Sequence, residues 1–327
     1  MAGTITHAYF AIDVYNKLDK KTKLFLENNK EDIKTYAQGH DILFFYYSFN
    51  IKKSSNIRAY AKVFHKTKTK LFFYNTIEYI KKNNLQYDPK IISFLYGYIC
   101  HYKLDSIIHP YVTYKGGIFK KGNKETYKYN SKHSDIESYI DAYMIKQKEN
   151  INPGKFKCYN FCFNNSKITQ NLLDLINYTF YKTYNINNIG KYYKKSIWIM
   201  KNLYKICRYD PFMIKKASYK FIDKLLPNNI TKLYPISYAY NLNNDNYYLN
   251  TDHKKWNHPR YKEEIYNLSI IDLYKKSLKE TTELINNINQ VLYCGKNINY
   301  LNKFLLDISF SSGKLCNDKT KNKFFEY

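Results

Sequence analysis

Arginine is nearly missing from this chain: only three of its 53 basic residues are arginines, Arg58, Arg208 and Arg260. Recognition of phosphate backbones favours the bidentate guanidinium, so the formal charge of +26 does not describe a dedicated nucleic-acid groove. Lys, Asn, Ile, Tyr and Phe are abundant together, the bias of an AT-rich coding sequence. The lysines therefore read as a solvated surface, with a residual attraction for anionic lipid or nucleic acid. Cysteine is also sparse. Six residues (Cys100, Cys158, Cys162, Cys207, Cys294 and Cys316) are too few for a disulfide scaffold in a chain of 327, and they read as ordinary thiols. No stretch approaches 18 uncharged apolar residues, which excludes a membrane-spanning helix. The start, Met1 to His7, lacks the basic and apolar regions of a signal peptide, so a cytoplasmic location is the expectation.

What is present is the composition of a folded protein, with 44% hydrophobic and 18% aromatic residues. The length allows one large domain or two. Apolar residues recur at helical spacing over Ala8–Leu18, Val63–Ile80, Ile91–Tyr111, Ile168–Tyr184, Lys191–Cys207, Pro211–Leu226, Ile265–Leu292 and Ile298–Ile308. Ser134–Ile145 starts behind a serine with Glu137 three residues on, the pattern of a capping box. Period-two alternation is rare, so the expected fold class is all-α. Lys115–Asn123 and Asn228–Asp252 read as connections by composition. Asn150–Lys155 reads as a boundary between a first helical domain, 1–149, and a helical extension, 150–327, packed on it.

Six of the eight histidines precede residue 134: His7, His40, His65, His101, His109 and His133. On a helix, Asp105 is rotated about 40° from His101 and His109 about 80°, so the three share a stripe roughly 12 Å long. Ligands spread over that length suit two adjacent metals better than one. His133 and Glu137 repeat the i, i+4 spacing and can pinch one cation between them. Imidazole and carboxylate donors suit zinc or a similar divalent ion. The alternative for any single histidine is a hydrogen-bonded core residue. The stripe, however, lies in the strongly apolar helix Ile91–Cys100, where unpaired Asp and His are costly and a metal removes the cost.

Thr6-His7, Gly39-His40-Asp41-Ile42-Leu43-Phe44-Phe45-Tyr46, Val63-Phe64-His65, His101-x-x-x-Asp105-x-x-x-His109-Pro110 and His133-x-x-x-Glu137 resemble, in order and interval, the metal-binding motifs of the zinc-dependent phospholipase C family. The resemblance covers about residues 1–145. It implies a multi-helix bundle of the phospholipase C and zinc nuclease type, with two or three Zn2+ ions. It places Asp41, His65 and His101 around one metal, and Asp105 as the bridge to a second held by His7. His109, His133 and Glu137 take a further metal, and Asp41 is the candidate general base. It implies hydrolysis of phosphate diesters, with a phospholipid headgroup or another phosphodiester as substrate and an anionic membrane surface as a partner that the charge permits. Nucleic acid is the less favoured substrate.

The chain departs from the family pattern in three places. No Trp stands near the start to offer its amino group and carbonyl to a metal, as in secreted members, and Ala2 is the substitute. The interval from Asp105 to His109 is shorter than in the secreted enzymes. His40 stands where a small residue or proline is expected, and is read as exposed or as a hydrogen-bonding neighbour of the ligands. Tyr46 and Tyr47 are read as packing residues before a choline-like headgroup pocket. Thr251–Pro259, which holds His253 and His258, is read as a plain loop before a rim over the site. The competing functions are a single-strand nuclease-like phosphodiesterase and a metal-stabilised helical protein without catalysis.

Overall fold

The computed structural model describes residues 3–47, 49–163, 168–228, 230 and 232–326. Helices follow one another as α1 (Thr4–Lys17), α2 (Lys20–Leu26), α3 (Lys30–Tyr36), α4 (Ile51–Phe64), α5 (Thr69–Lys82), α6 (Pro89–Gly116) and α7 (Lys132–Glu149). The second half adds α8 (Cys158–Phe163), α9 (Gln170–Tyr184), α10 (Ile189–Cys207), α11 (Ile214–Leu225), α12 (Asp245–Leu249) and α13 (Ile270–Tyr293). One hairpin, β1 (Trp256–His258) with β2 (Tyr261–Tyr266), is the single sheet among the described residues. The fold is all-α in class, and no described helix is long and apolar enough to cross a membrane.

The axis of the molecule is α6. Asp88 accepts from the backbone N–H of Lys90 and Ile91, Pro89 opens the helix, and Gly117 in a left-handed turn closes it. It is apolar on every side and buried on every side. The helices α1, α3, α7 and α13 pack around it. Tyr96 donates to Asn289 of α13 at 2.6 Å, and Phe10 of α1 meets Tyr274 of α13 edge-on. Pro110 inside α6 has no N–H to donate, so the Ser106 carbonyl one turn back loses its helical partner. Gly313, at φ +64°, packs against that carbonyl so closely that a Cβ there would lie 2.4 Å from the oxygen. The C-terminal segment is seated on α6 at this point.

Several sequence expectations are corrected. The helix expected over Val63–Ile80 is two, because the chain breaks after Phe64 and Lys68 takes a left-handed conformation (φ 55°). Thr67 and Lys68 make the break with bonds to the Val63 and Thr183 carbonyls. The start expected at Ser134 moves back to Lys132, and Ser131 at the N-cap makes no side-chain cap. Its hydroxyl instead accepts from the Lys232 N–H. The helix expected from Ile265 begins at Ile270, where Ser269 and Asp272 form a reciprocal capping box. Ile265 itself lies in β2. Ile298–Ile308 is only a short 3-10 turn, Ile298–Lys303, followed by extended chain.

Candidate metal centre

The first helix brings His7 to the core, and a carboxylate from α7 holds its end. Asp141 Oδ1 accepts from the Thr6 N–H at 2.8 Å and the Thr6 hydroxyl at 2.7 Å, and Oδ2 accepts from the Ile5 N–H at 3.2 Å. The Tyr238 hydroxyl completes the set at 2.6 Å. A buried carboxylate at a helix N-terminus satisfies orphan donors and faces the positive end of the helix dipole. Burial outweighs these bonds and leaves the Asp141 carboxyl above its ordinary value. Asp141 was missed in the sequence. It continues the series His133, Glu137, Asp141 at i+4, and extending that series by one turn was the available signal.

Asp41 lies in the 3-10 stretch Gly39–Phe45. Gly39 takes φ +51°, and a Cβ there would sit 2.2 Å from the His101 ring. Only glycine supplies both the left-handed turn and the clearance. The break after α4 leaves His65 at a helix end with its Nδ1 against the Ala61 carbonyl at 2.6 Å. His101 and Asp105 project from α6 one turn apart.

These five residues, called from the sequence, converge. His65 Nε2 lies 2.8 Å from Asp41 Oδ1, His7 Nε2 lies 3.2 Å from Asp105 Oδ1, and Asp105 Oδ2 lies 3.9 Å and 4.0 Å from Nε2 of His65 and His101. Donor atoms of His7, Asp41, His101 and Asp105 all lie within 4.8 Å of one another, as do those of His40, Asp41, His65 and His101. Tetrahedral ligands around zinc stand about 3.3–3.6 Å apart, so the spacing fits shared cations. The bonding fits as well. Nδ1 and Nε2 of His7, the same atoms of His101, Nε2 of His65 and Oδ1 of Asp41 are buried without a hydrogen-bond partner of sound geometry. Such a cluster of unsatisfied polar atoms is not tolerated in an ordinary core.

The electrostatics follow from this crowding. Burial lowers the His101 imidazole to about 4, against the pull of Asp41 and Asp105. Burial also pulls His65 down, but the adjoining Asp41 carboxylate more than reverses it and His65 rises above its ordinary value. Burial would raise the Asp105 carboxyl, yet the neighbouring His7 and His101 imidazoles help hold it well below.

Of the two readings of His40, exposed or a hydrogen-bonding neighbour of the ligands, its burial excludes the first, since it is only 1% exposed. Its Nδ1 bonds the Tyr98 hydroxyl at 2.7 Å, and its ring centroid is 4.0 Å from that of His65. It is a neighbour of the ligand set with one ring nitrogen, Nε2, still without a hydrogen-bond partner.

The second group is looser. His133 Nε2 lies 2.9 Å from Glu137 Oε1, and the His109 and His133 ring centroids are 5.0 Å apart. Among the described residues the three do not form a donor set as compact as the first. Burial would raise Glu137, and the His133 imidazole helps bring it down to about 2. Burial holds His109 well below its ordinary value. His109 donates through Nδ1 to the Ser311 carbonyl, which leaves Nε2 as the nitrogen that could face a cation. The Ala61 carbonyl holds His65 in the same way, through Nδ1. Ala2, the substitute for the family's N-terminal Trp, lies outside the described residues.

A cleft of about 470 Å³ opens on this group, with His109, His133, Lys66, Tyr129, Arg260 and Ser311 in its wall. One turn of α6 separates His109 on that wall from Asp105 in the buried set. The second half of the chain supplies much of the surroundings. Phe310 packs its ring 4.7 Å from His40 and 5.5 Å from His101, and the Ser309 hydroxyl donates to the His65 carbonyl. Thr251–Pro259 is not the plain loop expected. His258 is buried in β1 with Nε2 on the Ser312 carbonyl, and the adjoining turn places Arg260 on the cleft. His253 is exposed. Tyr46 is buried against Tyr192, whereas Tyr47 is largely exposed. All six cysteines are free thiols. Phe310, Ser311 and Arg260 carried no local signature in the sequence.

The profile of one protein family, zinc-dependent phospholipase C, matches residues 6–198. The match spans every sequence-called ligand and continues past residue 150 into α10. No curated protein and no solved structure matches the chain. With more than half of its residues matched, the chain belongs to the zinc-dependent phospholipase C family.

Proposed function

We propose that the protein is a metal-dependent phosphodiester hydrolase of phospholipase C type, holding two or three zinc ions. One observation carries the reading: three imidazoles and two carboxylates from four separate segments meet in a buried cluster in which five of the six ring nitrogens have no hydrogen-bond partner of sound geometry. In this reading Asp41, His65 and His101 would hold one ion, Asp105 would serve both that ion and the one His7 would hold, and His109, His133 and Glu137 would hold a further one. Zinc bound there supplies Lewis acidity and brings the pKa of a bound water toward neutrality. The chain's own groups do the rest. Asp41 is the general base that takes the proton of the attacking water. Arg260 and Lys66 draw the anionic ester into the cleft. The Ala61 and Ser311 carbonyls fix the tautomers of His65 and His109 so that Nε2 faces inward. Residues 150–327 form the packed extension that completes the cleft.

The test is metal analysis of the purified protein followed by incubation with a generic phosphodiester, short-chain lecithin and single-stranded DNA. At least two zinc ions per chain and preference for lecithin are expected. Asp41→Asn is expected to lower turnover by at least about 10²-fold while most of the metal stays bound. A protein that purifies without metal and gains no activity on adding zinc overturns the reading. Preference for DNA moves it to the nuclease class.

A further inference from the structure

Helix α11 is mounted with its apolar side outward. Ile214, Phe221 and Leu225 fall within about 40° of one another around the axis, and they are 65%, 64% and 71% exposed. Ile222 widens the stripe, and Phe212, just before the helix, is 80% exposed. The lysines stand on its borders at roughly 80–120° from the stripe: Lys220 and Lys224 are exposed on one side, and Lys215 on the other turns its ammonium back onto the Ile206 and Tyr209 carbonyls. The face turned to the protein is the polar one. Lys216 is buried and donates to the Tyr234 and Ser237 carbonyls at 2.8 and 3.0 Å, under the rings of Tyr234 and Tyr240. Asp223 accepts from the Leu233 and Tyr234 N–H groups. A soluble helix normally buries the opposite side.

The chain leaving α11 runs to the mouth of the metal-centre cleft. Asn130 donates to the Asn228 and Ile230 carbonyls, and Ser131 accepts from the Lys232 N–H. Both Asn130 and Ser131 line that cleft.

We propose that the outward face of α11, with Phe212, docks on an anionic lipid surface and holds the cleft mouth against it. Apolar side chains at the centre and lysines at the edges are the arrangement of an interfacial helix. The rim lysines match anionic headgroups, whereas against a second copy of a chain of charge +26 they repel. The inference rests on the hydrolase reading for the use made of the docking, but the docking itself is read without turnover.

The experiment measures co-sedimentation with phosphatidylcholine vesicles with and without phosphatidylserine, beside hydrolysis of a soluble aryl phosphodiester. Wild type is expected to bind the serine-containing vesicles and to lose binding as salt is raised. Phe221→Ser with Leu225→Ser is expected to weaken binding at least about tenfold. Lys220→Glu with Lys224→Glu is expected to weaken it on the order of twentyfold. Both are expected to keep the wild-type melting temperature and soluble-substrate activity. If either pair fails to fold, Phe212→Ser outside the helix replaces it, again with at least severalfold weaker binding expected. Wild type that hydrolyses the soluble ester but ignores vesicles, or binds neutral ones equally, overturns the docking and leaves the hydrolase reading intact. Vesicle binding without any hydrolysis supports the docking and removes the hydrolase reading. A concentration-dependent dimer abolished by the Phe221 and Leu225 pair makes the face a contact between copies and overturns the proposal.

Discussion

Removing the carboxylate of Asp141 is expected to loosen the metal centre without altering any candidate ligand. Asp141→Ala strands the Ile5 and Thr6 N–H groups, the Thr6 hydroxyl and the Tyr238 hydroxyl in an interior where Asp141 itself is 1% exposed. Loss of a helix cap costs about 1–2 kcal/mol, and each stranded buried donor about 1–3 kcal/mol before relaxation. With partial rearrangement the sum is about 3–5 kcal/mol. For a chain of this size that is a fall in melting temperature of roughly 4–7 °C. Asp141→Asn keeps one acceptor for Thr6 but turns an NH2 group toward a donor, so roughly half the loss is expected. His7 follows Thr6 directly, and zinc affinity is expected to drop about 10–100-fold, the usual effect of disturbing a ligand's support. Thermal unfolding by circular dichroism, with and without excess chelator, and zinc titration read the two effects separately. A variant that melts like wild type refutes the capping argument. One that is destabilised only when zinc is present refutes the claim that Asp141 acts on α1 rather than through the metal.

Two other substitutions probe the same centre from different sides. Gly39→Ala is expected to cost about 2–4 kcal/mol, from a left-handed alanine and its collision with the His101 ring; normal stability and zinc content would show that the Gly39 approach is not a constraint. Arg260 holds Asp318 and Asn322 through Nη1 and Nε, with Nη2 outside those contacts. Arg260→Gln is therefore expected to raise KM for a phosphodiester about tenfold with little change in kcat. Arg260→Lys is expected to recover part of the loss, and an unchanged KM in the glutamine variant removes Arg260 from substrate binding.

The helices most legible in the sequence are those whose periodicity has no rival. Ile91–Tyr111 lies within α6, and Lys191–Cys207 all but coincides with α10. The errors fall where a local pattern competed with a distant partner. Ser134 and Glu137 look like a capping box, but the helix begins earlier because Ser131 is engaged by Lys232. Ile265 sits at helical spacing, i+3, from Leu268, yet the adjacent strand claims it: Trp256 packs on Tyr266, and the box at Ser269 restarts the chain. The outward mounting of α11 was invisible for a related reason. Its periodicity was read correctly, but periodicity says that a helix has an apolar face and not which way the face points.

The sequence by itself determined the fold class and the spacing of the candidate donors along α6. Imidazole and carboxylate spacing within a helix is a consequence of 3.6 residues per turn, so His101, Asp105 and His109 share a stripe in any structure that keeps α6 helical. The ordered motifs then named the remaining donors. Tertiary structure alone decided that His40 is buried behind them, that Asp141 anchors the helix bearing His7, and that Phe310, Ser311 and Arg260 close the site from the far end of the chain. Those contacts join residues from tens to hundreds of positions apart, and their strength comes from burial and complementary bonding in the folded core. Neither leaves a periodic trace along the chain.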